Sequence, residues 1–237
     1  MADVEALPES KLGTKEYWDS TYERELKTYA EIGDEGEVWF GEEAVERMVD
    51  YLDEERNEGD GIAEQPTVLD LGTGNGHLLF ALAEMEPPLT EPSRMLGIDY
   101  SPSSIQLSKR IADKRGPACC DIGFEVYDFL DDANIQRLKA VHDGGWDLIC
   151  DKGTLDAIAL SKAKDSSEDP VKRYASSVAR ICKPGTLFVI TSCNFTEQEL
   201  RLIFEQGFQV HHVVPTPSFS FGGQKGSTTT TAAFRKT

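Results

Sequence analysis

The chain has 237 residues, 39% hydrophobic and 28% charged, which suits one large α/β unit with a substantial core. Its formal net charge is −18, residues 1–64 carry 21 of the 42 acids but only 6 of the 24 basic residues, and no basic stripe marks a nucleic-acid surface. No apolar run is long enough to cross a bilayer and the first residues lack a signal core, so no nucleic acid and no membrane is expected as partner, and a cytoplasmic location with nuclear entry open is expected. In chain order, Thr14 caps a helix with Trp18, Tyr22, Leu26 and Tyr29 on one face, a stripe read as packing. A second helix is expected from Glu42 to about Glu55, with Val45, Met48, Val49 and Leu52 as its apolar side. Polar residues 57–66 form a linker, so residues 1–66 are a helical extension and residues 67–237 the main domain. Strands at 67–71, 95–98, 123–127, 146–150 and 186–191 then alternate with helices at 76–84, 102–115, 133–141 and 170–182, which predicts a parallel sheet. Ser101-Pro102 and Asp169-Pro170 read as N-cap and first-turn pairs. Lys183-Pro184-Gly185 reads as a turn, and Thr196 to Glu199 as a capping box whose helix stops at Gly207. Residues 208–214 and 228–234 complete a seven-stranded sheet. His211 and His212 are expected on opposite faces of their strand, and the five cysteines, with no C-x-x-C pair, predict no metal; Cys150 and Cys193 read as reduced core residues.

The apolar run at 67–71 leads into Gly72-Thr73-Gly74-Asn75-Gly76, giving the pattern D-x-G-x-G-x-G from Asp70. A dinucleotide site needs G-x-G-x-x-G, and its third glycine falls here on His77. A glycine turn between strand and helix lets backbone N–H groups and a helix N-terminus approach an anionic ligand. The second and third strands end in Asp99 and in Asp128-Phe129, so three strand ends carry acids, and Asp99 is placed to accept ribose hydroxyls. This pattern resembles the first motifs of the Rossmann-like class I methyltransferases. The resemblance implies a seven-stranded sheet with helices on both faces and its last strand antiparallel. It also implies S-adenosylmethionine as cofactor, its carboxylate cradled by Gly72, Gly74 and Gly76, its ribose on Asp99 and its adenine on Asp128 and Phe129. Asp70 then supports the turn or the methionine amino group.

After the fourth strand stands Asp151-Lys152-Gly153-Thr154-Leu155-Asp156, not the Asn/Asp-Pro-Pro-Tyr/Phe of base-amino methyltransferases. With residues 12–19, Glu37 to Gly41 and Pro217 to Gly223, it resembles the eukaryotic, fungal-type lysine methyltransferases of translation elongation factor 1-alpha and their animal relatives, over nearly the whole chain from Leu12. The resemblance implies a protein substrate, elongation factor 1-alpha, and a monomer. Methylating a lysine needs a neutral amine, whereas free lysine has a pKa of roughly 10.4. Asp151 and Asp156 are the candidate catalytic carboxylates, Asp156 alternatively a helix cap. Trp39, which also borders the cofactor, and Phe219 and Phe221 are candidate aromatic walls for the lysine, the two phenylalanines alternatively loop packing. A small-molecule methyltransferase and a cofactor-binding trafficking or scaffold protein are the rival readings.

Overall fold

The computed structural model describes residues 4, 6–57, 61–142, 144–161, 169–216, 219–221, 224–226 and 229–237, with side chains undescribed at 217–228. A 3-10 turn at Lys11–Gly13 precedes α1 (Lys15–Ile32) and α2 (Glu42–Asn57). Then come β1 (Val68–Leu71), α3 (His77–Ala83), β2 (Met95–Asp99), α4 (Pro102–Arg115), β3 (Gly123–Val126) and α5 (Asp132–Val141). The second half runs β4 (Trp146–Lys152), α6 (Thr154–Ala159), α7 (Pro170–Ile181), β5 (Cys182–Ser192), α8 (Glu197–Phe204), β6 (Phe208–Val214), β7 (Phe219–Phe221), β8 (Gln224–Gly226) and β9 (Thr230–Lys236).

Seven strands form one sheet in the order β3-β2-β1-β4-β5-β9-β6, and β7 pairs with β8 in a separate ribbon. β1 to β5 are parallel, and β9 is antiparallel to both of its neighbours. Parallel strands need helical crossovers, which cover both faces and make the central strands apolar throughout. Successive residues accordingly enter opposite cores. Val68, Leu148, Cys150, Leu187 and Val189 pack with Met48, Leu52, Leu79 and Ile105. Leu69, Leu71, Ile149, Phe188 and Ile190 pack with Tyr174, Val178, Leu200 and Phe204. Helix starts follow the caps. Thr14, Asp131 and Asp169 accept backbone N–H groups of the first turns, and Thr196 with Glu199 closes a reciprocal capping box. Each such cap contributes about 1 kcal/mol.

Four local expectations are corrected. The Ser101 side chain makes no capping bond, and its N–H donates to Asp99 instead. Lys183 to Gly185 lie inside β5, where the register against β4 shifts between Trp146 and Leu148, so the turn signal is a bulge. A second bulge, between Val210 and His212 in β6, leaves both histidines exposed. His211 meets Glu55 at 2.8 Å and His212 stacks on Tyr51, one α-turn apart on α2. Cys150 is buried as expected, but Cys193 is exposed.

Candidate active site

The strand order reverses between β1 and β4, and at such a point the crevice beyond the carboxyl ends of the strands is where ligands bind. A cavity of about 500 Å³ lies there, a size that suits a small-molecule site. Its lining follows the sheet: Asp128 and Phe129 after β3, Asp99 and Tyr100 at β2, Gly72 to Asn75 after β1, Lys152 to Thr154 and Asp156 beyond β4, and Cys193 and Asn194 after β5.

The glycine turn is fixed from below. Ser104 and Ser108 of α4 both donate to the Gly74 carbonyl, at 2.6 and 2.8 Å. The Gly74 N–H donates to Asp99 and that of Thr73 to the Ile98 carbonyl, while Gly76 N–H closes on Thr73. The amides of residues 73, 74 and 76 are therefore committed within the protein. The glycines serve here through conformation and closeness more than as amide donors. Gly72 and Gly74 have φ of +63° and +58°, a region that side chains rarely adopt. A Cβ on Gly74 would stand 2.6 Å from the Tyr22 hydroxyl oxygen. Gly76 does not line the cavity. It ends the turn at the start of α3, where a Cβ would meet the Phe80 and Phe124 rings within about 3 Å, so its place is one of packing.

Asp99 is 5% exposed and accepts from Gly74 and Ser101, yet its two oxygens retain further lone pairs toward the cavity. Burial pushes its pKa up to about 6, against the lowering effect of those N–H donors. Asp128 is exposed and accepts from Leu130 N–H. Phe129 is buried, edge-on to Tyr174 at 5.5 Å, and joins the lining. Asp70 lies beneath the turn, outside the lining. Burial pushes it up to about 7, opposed by the Thr73 hydroxyl and the Lys152 ammonium.

Asp151 near the end of β4 and Asp156 beyond it, both candidate catalytic carboxylates, stand in different surroundings. Asp151 is fully buried, is absent from the cavity wall, and accepts from Thr154 N–H, Leu155 N–H and the Tyr174 hydroxyl. Asp151 is thus the residue that caps α6, not a group that reaches a ligand. Asp156 stands in the first turn of α6 and lines the cavity. Its Oδ1 accepts from Ser192 Oγ, Cys193 N–H and Asn194 N–H, which fixes the carboxylate, while its buried Oδ2 has no hydrogen-bond partner among the described residues. Burial raises its pKa, and the donors of residues 192–194 work against that rise. Phe219 and Phe221 fall on β7, but their side chains lie outside the described residues.

Several lining residues went unassigned in the sequence. Trp18 and Tyr22 do pack, but they also form the cavity wall with Leu12 and Gly13 of the preceding 3-10 turn. Trp39 lines it too and meets Trp18 edge-on at 4.7 Å. Phe40 and Lys152 complete that side. The helical spacing of Trp18 and Tyr22 was a visible signal that the stripe faces something, but not that part of it faces a cavity. The segment between α1 and α2 is tied down by Asn75, which donates to the Glu35 carbonyl at 3.0 Å.

These groups fit S-adenosylmethionine: close backbone at the end of β1, a buried acid at β2, and an acid with an aromatic wall at β3. Comparison with known proteins agrees. A family model described as a methyltransferase domain matches residues 62–232. The protein-lysine N-methyltransferase efm4 of Schizosaccharomyces pombe is 44% identical, with 98% of this chain and 97% of that protein covered. EEF1A lysine methyltransferase 2 of Homo sapiens is 41% identical, with 96% of this chain and 87% of that protein covered. Among solved structures, the magnesium protoporphyrin IX methyltransferase of Synechocystis with bound SAM superposes at a TM-score of 0.60 and 17% identity, covering 100% of both chains, a likeness of fold.

Proposed function

The chain belongs to the methyltransferase-domain family and, within it, to the EFM4 and EEF1A lysine methyltransferase 2 group, and from this we infer that it is an S-adenosylmethionine-dependent protein-lysine N-methyltransferase acting on translation elongation factor 1-alpha. The observation that carries the reading is one continuous cavity that joins the strand-end acids Asp99 and Asp128 to the fixed carboxylate of Asp156. Gly72, Gly74, Asp99, Asp128 and Phe129 would hold the cofactor, which would supply an electrophilic methyl group on a sulfonium.

Transfer would exchange the sulfur–carbon bond for a nitrogen–carbon bond, so the lysine nitrogen must first lose a proton and present its lone pair. Positioning supplies much of the acceleration in such a displacement. Asp156 stands on the cavity wall with Oδ1 held by four donors from residues 192–194, and a small side-chain adjustment that uncovers its buried Oδ2 would let that oxygen orient the incoming amine. A carboxylate beside an ammonium stabilises the charge, which opposes deprotonation. Two features offset this. The raised pKa of Asp156 makes it a better proton acceptor than an ordinary surface acid, and the Trp39 and Phe40 walls present apolar surface that solvates an ammonium poorly.

The test is transfer of labelled methyl from S-adenosylmethionine to purified elongation factor 1-alpha, with the modified lysine located by mass spectrometry. Label on one lysine of that protein is the expected result. Label on small molecules alone would overturn the reading.

A further inference from the structure

We propose that Phe40 forms the wall of the methyl-acceptor channel and that Lys152 is the positioning residue that holds it there; this rests on the lysine-methyltransferase reading above. Val38 to Gly41 form a tight turn closed by the Gly41 N–H on the Val38 carbonyl at 2.9 Å. Phe40 has φ of +66°, and it is the one non-glycine residue with positive φ among the described residues. The third position of a turn that requires positive φ favours glycine or asparagine. A bulky residue held there is strained, and such strain persists only where the surroundings over-determine it.

The surroundings do so from two sides. The Phe40 ring lies against Gly153, the start of α6, where a Cβ would approach ring carbons at 3.0 and 3.1 Å. Gly153, with φ of +91°, therefore leaves room for the ring as well as turning the chain. The neighbouring residue, Lys152, reaches back and donates from Nζ to the Trp39 carbonyl at 2.9 Å. Burial lowers the Lys152 pKa, and Asp70, Asp151 and Glu42 act to retain its charge. Two consecutive residues at the end of β4, Lys152 and Gly153, thus hold both residues at the centre of the turn.

The location gives the ring its use. Phe40, Gly153, Lys152 and Asp156 line the same cavity at its β4 end, across the sheet order from Asp128 and Phe129. An aromatic ring and a carboxylate on the wall of one cavity are chemistry suited to a lysine side chain, whose stem is apolar and whose cationic head is drawn to π-faces. A glycine at position 40 would relax the backbone, so the ring is retained against the local conformational preference.

The experiment compares the full-length wild type with Phe40→Gly, Lys152→Met and Lys152→Arg. It measures melting temperature, S-adenosylmethionine affinity by calorimetry, and transfer to full-length elongation factor 1-alpha at varied acceptor concentration. Phe40→Gly is expected to melt at or above the wild-type temperature, bind S-adenosylmethionine within about two-fold, and lose about ten-fold or more in acceptor kcat/KM. Lys152→Met is expected to raise the acceptor KM about five-fold, and Lys152→Arg, which keeps a donor, to recover most of that loss. Should Lys152→Met fail to fold, Phe40→Gly alone decides. Loss of cofactor affinity in step with transfer would make the turn a cofactor wall and overturn the proposal, as would wild-type transfer by Phe40→Gly. Absence of transfer by the wild type overturns the lysine reading and the proposal together, whereas wild-type transfer with unresponsive variants overturns the proposal alone.

Discussion

A carboxylate with one oxygen saturated and the other buried without a partner among the described residues, as at Asp156, is an expensive arrangement for a residue with only a packing role. Asp156→Asn retains an oxygen for the donors of residues 192–194 and removes the charge. It is expected to lower single-turnover transfer about ten- to hundred-fold with S-adenosylmethionine affinity within about two-fold. Full activity in a folded protein would remove Asp156 from the mechanism. Asp151→Asn is the contrasting variant. It weakens the α6 cap and the Tyr174 hydrogen bond, so its main effect is on melting temperature, by roughly 1–3 kcal/mol for a buried acceptor deprived of its charge. Asp99→Ala is expected to cost ten-fold or more in cofactor affinity, since a hydrogen bond to a charged group contributes about 1.5–3 kcal/mol. Calorimetry measures it directly, and wild-type affinity would remove Asp99 from the ribose site. Asp99, Asp128 and Phe129 could be located from the sequence because a strand ends where its apolar run ends, and a parallel sheet brings those ends to one edge. The division of labour between Asp151 and Asp156 could not, because both stand in one six-residue motif. Which of them turns inward depends on a helix that begins between them.

That helix, α6, has only six residues and no hydrophobic period long enough to register, so the sequence offered it only through Asp156 as a possible helix cap. The same limit applies to β5, whose Lys183-Pro184-Gly185 sequence signals a turn and is absorbed as a bulge by pairing with β4. Longer elements were plain: α4 spans Pro102–Arg115, and β6 spans Phe208–Val214, both as their patterns required. Least legible was the contact that makes the N-terminal segment part of the site. Ser10 N–H donates to the Leu160 carbonyl at the end of α6, and Trp18 Nε1 donates to the Leu12 carbonyl at 2.7 Å. Gly13 lies so close that a Cβ would stand 2.2 Å from the Leu160 backbone. Backbone cannot yield as a flexible side chain can, so Gly13→Ala must push the 3-10 turn off α6. Overpacking of this kind costs about 1–3 kcal/mol. A lower melting temperature is expected together with weaker cofactor affinity, because Leu12, Gly13 and Trp18 wall the cavity. A melting loss with unchanged affinity would confine this segment to a stabilising role.

On the scale of the molecule, three buried carboxylates, Asp70, Asp99 and Asp151, lie at or beneath the carboxyl edge of one sheet. Burial raises them to about 7, 6 and 7, from a starting value of 3.8. Groups whose folded pKa exceeds the unfolded value bind more protons in the native state between those values, so stability falls as pH rises through that window. Below the unfolded value these groups add nothing further, and there Asp132, which Arg180 holds low, is protonated at a cost to the native state. His142 and Lys152, lowered by burial, oppose the trend, while Glu25 and Asp156, raised by burial, add to it. The ligand-free protein is therefore expected to melt higher near pH 5.5 than near pH 8, and Asp151→Asn to flatten the difference. On the proposed reading, S-adenosylmethionine would bring a sulfonium and an amino group, both cationic, to the cavity that Asp99 lines and Asp70 underlies. Binding a cation favours the ionised acids, so it releases protons at the lower pH and is weaker there. The rise in melting temperature on adding S-adenosylmethionine should be larger at pH 8 than at pH 5.5. S-adenosylhomocysteine, which lacks the sulfonium charge, should show a smaller dependence on pH. Thermal melts of wild type at the two pH values, with each ligand and with neither, check all of this at once. A ligand-free melting temperature that climbs from pH 5.5 to pH 8 would mean that these acids are ionised and paired in the native state, and that the site's negative charge is compensated from within.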